Sequence, residues 1–352
     1  MKVRKAIRRM KPYAPPLEGR DPSASLLLDF NESLLPPPPE VVQALRRFIE
    51  EGRLQLYPEY GRIEAKLAAF HGLPADCIIL TNGSDQGIDI VFRALLEPGE
   101  TVVLPEPTFA MYAQVAGTLD LRIAAPAYHE DMSWPAEEVR AALTPEARLV
   151  VAVNPNNPTG TVIDPAILES ILTDFPDVGL LVDEAYAEFT GRTVLPWVER
   201  FANLAVLRTF SKALAIPSLR LGFVAANPDF IAELNKVRGP YDVNMMAVAA
   251  AEAQIDHPES WRSYVREVME RAKPRVEAFL QERGVTFYPS AANFLLIRPA
   301  DSRGAVAFLR ERGIAVRPQK GSIADCFRLS IGPLAAMERF IAVYGEYLDG
   351  PA

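Results

Sequence analysis

Histidine and cysteine are both scarce in this sequence of 352 residues, which has three of the first and two of the second. None of His71, His129 and His257 has a second ligand candidate beside it at metal spacing, which argues against a zinc or iron centre and leaves each as a surface or capping residue. Cys77 and Cys326 make no disulfide framework. No apolar run reaches membrane-spanning length, and none follows the basic first residues (Lys2, Arg4, Lys5, Arg8, Arg9, Lys11), so signals for secretion and insertion are lacking and the expected location is cytoplasmic. Positive charge is in the minority, 37 Lys and Arg against 45 Asp and Glu, and the net charge of −8 excludes a nucleic-acid or anionic-membrane surface. The basic arm reads as solvated and mobile. NGSDQG lacks the glycine spacing of a dinucleotide turn, GSDQG is no nucleophile elbow, and QKGS lacks the rest of a P-loop. A transcription regulator would need a DNA-binding module for which no residues remain, and a periplasmic binding protein would need a leader.

The chain does have material for a large core, being 49% hydrophobic and 9% aromatic. Short β-rich runs keep ending in polar residues: CIILTNGSD, TVVLPEPTF, RLVVAVNPNNPTG, GLLVDEAY, LAVLRTFSK and RLGFVAAN. Amphipathic stretches such as Gln86–Leu96 and Ala166–Asp174 separate most of them. That alternation predicts an α/β fold around a mostly parallel sheet buried on both faces. Such sheets bind ligands beyond the carboxyl ends of their strands. Ser84, Asp85, Phe109, Asn157, Asp183, Tyr186, Thr209, Ser211 and Lys212 are therefore expected in one composite site.

The texture changes on either side of this region. SLLPPPP (33–39) reads as a stiff linker, because proline fixes φ and lacks a donor. Beyond about residue 245 the pattern turns helical (Ala247–Ile255, Trp261–Arg283), then alternates through NFLLIRP, a further helix, GIAVRP and CFRLSIG. The expected organisation is an N-terminal arm and linker (1–39) joining the small domain, a large domain (40–244) and a smaller α+β domain (245–352).

A lysine without a metal, a buried carboxylate, a tyrosine, an asparagine, hydroxyls and an arginine make the set that pyridoxal phosphate needs. It requires an amine for a Schiff base, a carboxylate to keep the pyridine nitrogen protonated, and groups that bind phosphate. NPNNPTG, VDEAY and TFSKALAIPSLRLGF, in this order and spacing, resemble the fold-type I aminotransferases of class I/II. Within that class, YPE, NGSDQGI, PEPTFAMY, LRTFSKA, GPYDVN, NFLL, VRP and FRLSIG are most similar to the histidinol-phosphate aminotransferases, over nearly the whole chain from about Tyr13.

The resemblance implies pyridoxal 5′-phosphate as cofactor and Lys212 as the Schiff-base lysine and general base, an amine whose pKa must lie below the ordinary value of about 10.4. It implies Thr209, Ser211 and Arg220 as phosphate ligands, completed by Gly83, Ser84 and Asp85 at a helix start; an N-cap accounts for Ser84 equally well. Asp183 becomes the pyridinium partner, Asn157 and Tyr186 bond the cofactor phenolate oxygen, and Phe109 stacks on the ring. Toward substrate it implies Arg328 for an amino-acid carboxylate, Arg317 for a phosphate, Tyr13 and Tyr57 near that phosphate with Tyr57 reaching across a homodimer interface, and Asn31 near the site. The expected activity is ping-pong transamination of histidinol phosphate with 2-oxoglutarate; aromatic amino-acid transamination and threonine-phosphate decarboxylation are the alternatives. Two stretches depart from the usual pattern: AIPSLR stands where the family often has GLAGLR, and IGPLAAMERF lacks the threonine, arginine and acidic pair frequent after Arg328.

Overall fold

A computed structural model describes residues 1–15 and 20–350. Its strands are β1 (Leu26–Leu28), β2 (Ile78–Thr81), β3 (Thr101–Val103), β4 (Arg122–Ala124), β5 (Ala147–Val153), β6 (Gly179–Asp183), β7 (Leu204–Thr209), β8 (Gly222–Ala226), β9 (Thr286–Tyr288), β10 (Phe294–Arg298), β11 (Ile314–Pro318) and β12 (Phe327–Ser330). Seven of them form a sheet in the order β2-β8-β7-β6-β5-β3-β4. The pairs β7/β6, β6/β5, β5/β3 and β3/β4 are parallel, as the alternating pattern predicts. RLGFVAAN is the exception, since β8 runs antiparallel to both β7 and β2. The cause is local: residues 210–221 hold only the short turn Pro217–Leu219 and no crossover helix, so the chain doubles back.

Every residue of β2, β7 and β8 is buried, and the alternate side chains of the sheet feed two separate apolar layers. Val150, Val182 and Val206 face one layer, Leu149, Leu181 and Leu207 the other. Each such side chain contributes roughly 1.5–3 kcal/mol. Helix Gly83–Leu95 lies so close to the second face that a Cβ on Gly87 would sit 2.3 Å from Leu207 Cδ1.

A smaller mixed sheet has the order β1-β11-β12-β10-β9. Its first strand comes from the N-terminal segment, with Leu26–Leu28 pairing parallel to Ile314–Val316. Between β8 and β9 in the chain runs a long helical stretch, Pro258–Arg266 continuing through a π-helical turn, Glu267–Ala272, into Lys273–Glu282. The basic arm is more ordered than its charge predicts: Lys5–Arg9 is helical, Ala6 is buried, and Met10 packs against Gly117. Among the described residues no helix is long and apolar enough to cross a membrane.

Candidate active site

Beyond the carboxyl ends of β5, β6 and β7 opens a cavity of about 530 Å³. Ser84, Asp85, Phe109, Asn157, Asp183, Tyr186, Thr209, Ser211, Lys212 and Arg220 all line it, so the residues expected to converge do so; Tyr13 borders it too. Strand geometry accounts for this. Asp183 ends β6, Thr209 ends β7, and Asn157 and Lys212 follow β5 and β7 by only a few residues.

Lys212 donates from Nζ to the Phe30 carbonyl at 2.9 Å, and that nitrogen lies 5.8 Å from the Tyr186 ring centroid. Desolvation, and then the nearby Arg328 guanidinium, lower its pKa to about 8. Asp183 is buried and accepts from the Tyr112 hydroxyl at 2.6 Å and from the Ala185 N–H at 3.0 Å. Desolvation outweighs these bonds and raises its pKa to about 6. It forms no ion pair among the described residues.

Two cavity residues have their orientation fixed from behind. The Tyr186 hydroxyl accepts from Asn31 Nδ2 at 3.0 Å, which leaves its own O–H free to donate. Asn157 Oδ1 accepts from Arg328 Nη1, which leaves the Asn157 amide N–H groups for the cavity. Asn31 itself is held in left-handed backbone, φ 55°, with its N–H donating to Ser330 Oγ at 2.8 Å.

At one end of the cavity is an anion cradle. Arg220 donates to Asp85 Oδ2 at 3.1 Å and to the Pro217 carbonyl at 3.2 Å, beside the first turn of helix Gly83–Leu95. That turn offers N–H groups without intrahelical acceptors. Gly83 has φ 73°, and a Cβ there would come within 2.5 Å of Arg220 Nη2, so only glycine admits the arginine. The N-cap is Asn82, and Ser84 lies inside the first turn, which corrects the N-cap reading of Ser84. The departing stretch AIPSLR folds as a 3-10 turn, Pro217–Leu219, that puts Arg220 at φ 56°.

Arg317 and Arg328 stand directly opposite each other on the paired strands β11 and β12. Arg328 Nη2 donates to the Asp29 carbonyl at 2.7 Å, but Arg328 Nε and Arg317 Nη1 are buried without hydrogen-bond partners among the described residues. Neither arginine lines the cavity itself; the Arg317 guanidinium lies 5.1 Å from the ring centroid of Phe30, which does. Two like charges set opposite one another call for anions to offset them. Tyr57 is different: it is exposed, stacks on Tyr241 at 4.5 Å, and does not line this chain's own cavity.

Sequence reasoning passed over Tyr112 and Phe30. Tyr112 belongs to PEPTFAMY, one helical turn beyond Phe109, and its full burial with a polar tip is the available signal. Phe30 acts through its carbonyl, which side-chain chemistry cannot announce.

Pyridoxal phosphate fits these groups. The cradle suits its phosphate, Asp183 lacks the cation that a protonated pyridine nitrogen provides, Tyr186 and Asn157 have free donors, and Lys212 is a desolvated amine. The family model for aminotransferase class I and II matches residues 24–343. A histidinol-phosphate aminotransferase from Roseiflexus castenholzii is 37% identical over 349 residues, covering 94% of each chain. Another from Symbiobacterium thermophilum is 37% identical, covering 96% of each. The solved histidinol-phosphate aminotransferase from Sinorhizobium meliloti in complex with pyridoxal 5′-phosphate superposes with a TM-score of 0.89 at 25% identity, covering 100% of this chain and 98% of its own. The chain belongs to the class I and II aminotransferase family and is a pyridoxal-phosphate-dependent aminotransferase with the fold-type I architecture.

Proposed function

We propose that this aminotransferase exchanges the amino group of histidinol phosphate with 2-oxoglutarate. The observation that carries the reading is the pair Arg317 and Arg328, each with a buried nitrogen unpaired among the described residues, facing one another across β11 and β12. Histidinol phosphate brings a phosphate and glutamate brings carboxylates, so Arg317 serves the phosphate and Arg328 the α-carboxylate, with Tyr13 and Asn31 beside them. The naming of the full-length relatives supports the same substrate.

Bound pyridoxal phosphate supplies an electron-withdrawing ring that acidifies the substrate α carbon. Thr209, Ser211, Arg220 and the N–H groups of Gly83, Ser84 and Asp85 hold its phosphate, and Phe109 covers one ring face. The Asp183 carboxylate holds a proton on the ring nitrogen; Tyr186 and Asn157 donate to the ring oxygen. Lys212 would hold the cofactor through its Nζ and, as a neutral amine, would take the proton from the substrate α carbon. A pKa near 8 leaves a usable fraction of neutral amine at physiological pH.

The organisation proposed is an arm and linker (1–39), a large cofactor domain (40–244) and a small domain (245–352), in a cytoplasmic homodimer. The exposed Tyr57, with exposed Leu54 and Leu56 nearby, supports an interface there through which Tyr57 reaches the partner's cofactor and substrate. Mixed dimers of Lys212→Ala and Tyr57→Ala chains then regain about half the activity, since one site collects both defects; mixed dimers as inactive as their parents contradict the shared site.

The substrate test is a pair of half-reactions followed by cofactor absorbance. Arg317→Ala raises the KM for histidinol phosphate by ~10-fold or more, as expected for a lost charge-assisted contact, while glutamate is little affected. Arg328→Ala impairs glutamate strongly. Equal, small effects of Arg317→Ala on both substrates favour an aromatic amino donor instead, and CO2 release without an oxo-acid acceptor identifies a decarboxylase.

A further inference from the structure

We propose that Arg20 is a positioning residue for the reaction, one that takes up the carboxylates of Asp29 and Glu32 so that backbone carbonyls alone meet Lys212 and Arg328. The inference rests on the roles proposed for those two cations and is independent of which amino donor the enzyme uses. Residues 29–32 follow β1 and border the catalytic cavity, where Phe30 and Glu32 line the wall. The Asp29 carbonyl accepts from Arg328 Nη2 at 2.7 Å, the Phe30 carbonyl accepts from Lys212 Nζ at 2.9 Å, and Asn31 Nδ2 donates to the Tyr186 hydroxyl at 3.0 Å.

A single guanidinium holds the side chains of this segment. Arg20 Nε donates to Asp29 Oδ2 at 3.0 Å and Nη2 to Asp29 Oδ1 at 2.9 Å, a two-pronged pair, and Nη2 also donates to Glu32 Oε2 at 2.6 Å. The same group lies 4.3 Å from the Phe30 ring centroid. A planar fork serves two carboxylates and a ring face at once, whereas the ammonium of a lysine is a point charge. The side chains of Arg20 and Asp29 are 16% and 8% exposed, so salt screens their pairing little, while Glu32 at 35% is more open. Arg20 does not itself line the cavity, so it acts on the site through these neighbours.

Lys212 has to be neutral to accept a proton, and Arg328 has to be open to a substrate carboxylate; an unpaired anion beside either one works against it. Both carboxylates are near enough to act. Burial, and then Arg328, lower the Lys212 value to about 8; Glu32 is the strongest charge opposing that fall, followed by Asp85, and Arg220 adds to it. Burial also lowers the Arg328 value, opposed by Tyr186, Asp29 and Tyr13 and reinforced by Arg317. Asp183 and the Tyr186 ring complete the surroundings of the amine. Without Arg20, the Glu32 charge raises the Lys212 value further, and the Asp29 charge competes with substrate for Arg328.

The test combines a titration with kinetics. In cofactor-free protein, 13C NMR of ε-labelled lysine, assigned with Lys212→Ala, should place the Lys212 midpoint near 8 in the wild type and higher in Arg20→Ala. In the holoenzyme the same substitution moves the acid limb of the kcat profile to higher pH and raises the KM for glutamate by about tenfold. Two rescue substitutions divide these effects: adding Glu32→Gln to Arg20→Ala returns the midpoint and the acid limb, and adding Asp29→Asn returns the KM. Arg20→Lys, which keeps the charge and loses the fork, gives the same shifts to a smaller extent and serves if Arg20→Ala does not fold. An arginine that only stabilised the fold would lower kcat without this division. The midpoint is read without turnover, so it tests the clamp apart from the roles proposed for Lys212 and Arg328. A midpoint and a glutamate KM unmoved in the Arg20 variants, or shifts that the two rescue substitutions do not separate, overturn the proposal.

Discussion

Asp183 and Glu184 are consecutive in the chain and almost equally buried, at 3% and 1% exposure, but they belong to opposite sides of the large sheet and are treated differently by the fold. Glu184 is completed from within: Thr193 Oγ1 and the Val194 N–H donate to it, both at 2.6 Å, and Arg208 lies 3.6 Å away. Asp183 receives the Tyr112 hydroxyl and the Ala185 N–H but forms no ion pair among the described residues. Burial pushes both carboxyls above their ordinary values. The difference separates a structural charge from a functional one. A buried carboxylate with its own arginine maintains the protein, and one without waits for a cation from elsewhere, here the protonated ring of the cofactor.

Paired substitutions sharpen the contrast. Asp183→Asn keeps the shape and removes the charge opposite the ring, so kcat falls by about 10²–10³, the scale for losing one electrostatic stabiliser of developing charge, with little change in substrate KM. Glu184→Gln acts on the other quantity: stability falls by roughly 1–3 kcal/mol as a charge-assisted network loses its charge, and kcat stays near wild type. Turnover and denaturant unfolding of both variants measure this. Similar losses of kcat in the two would erase the distinction.

VDEAY contains both residues and, as a sequence, cannot say which faces the cofactor; strand alternation puts them on opposite faces, and only the neighbours reveal which side has the arginine. Much else was legible. The polar residues closing Ile78–Thr81, Ala147–Val153, Gly179–Asp183 and Leu204–Thr209 converge because strands of one direction end on one side of a sheet. The reversal of β8 was hidden because a buried strand has the same composition in either direction. Tyr112 and the Phe30 carbonyl were hidden because they act through three-dimensional neighbours.

Asp183 lacks only the cofactor's cation, and its own titration reports whether the bound ring provides it. Without cofactor the folded value stands at about 6 against an ordinary 3.8. The folded chain therefore holds that proton more firmly than the unfolded one. The stability this contributes is complete below about pH 4 and is lost as pH rises through about 6. A protonated pyridine nitrogen reverses the sign by favouring the carboxylate. Carboxyl 13C NMR of labelled Asp183, assigned with Asp183→Asn, should give a midpoint near 6 in the cofactor-free protein and one below 3.8 in the holoenzyme. A midpoint that remains near 6 with the cofactor bound would contradict the account.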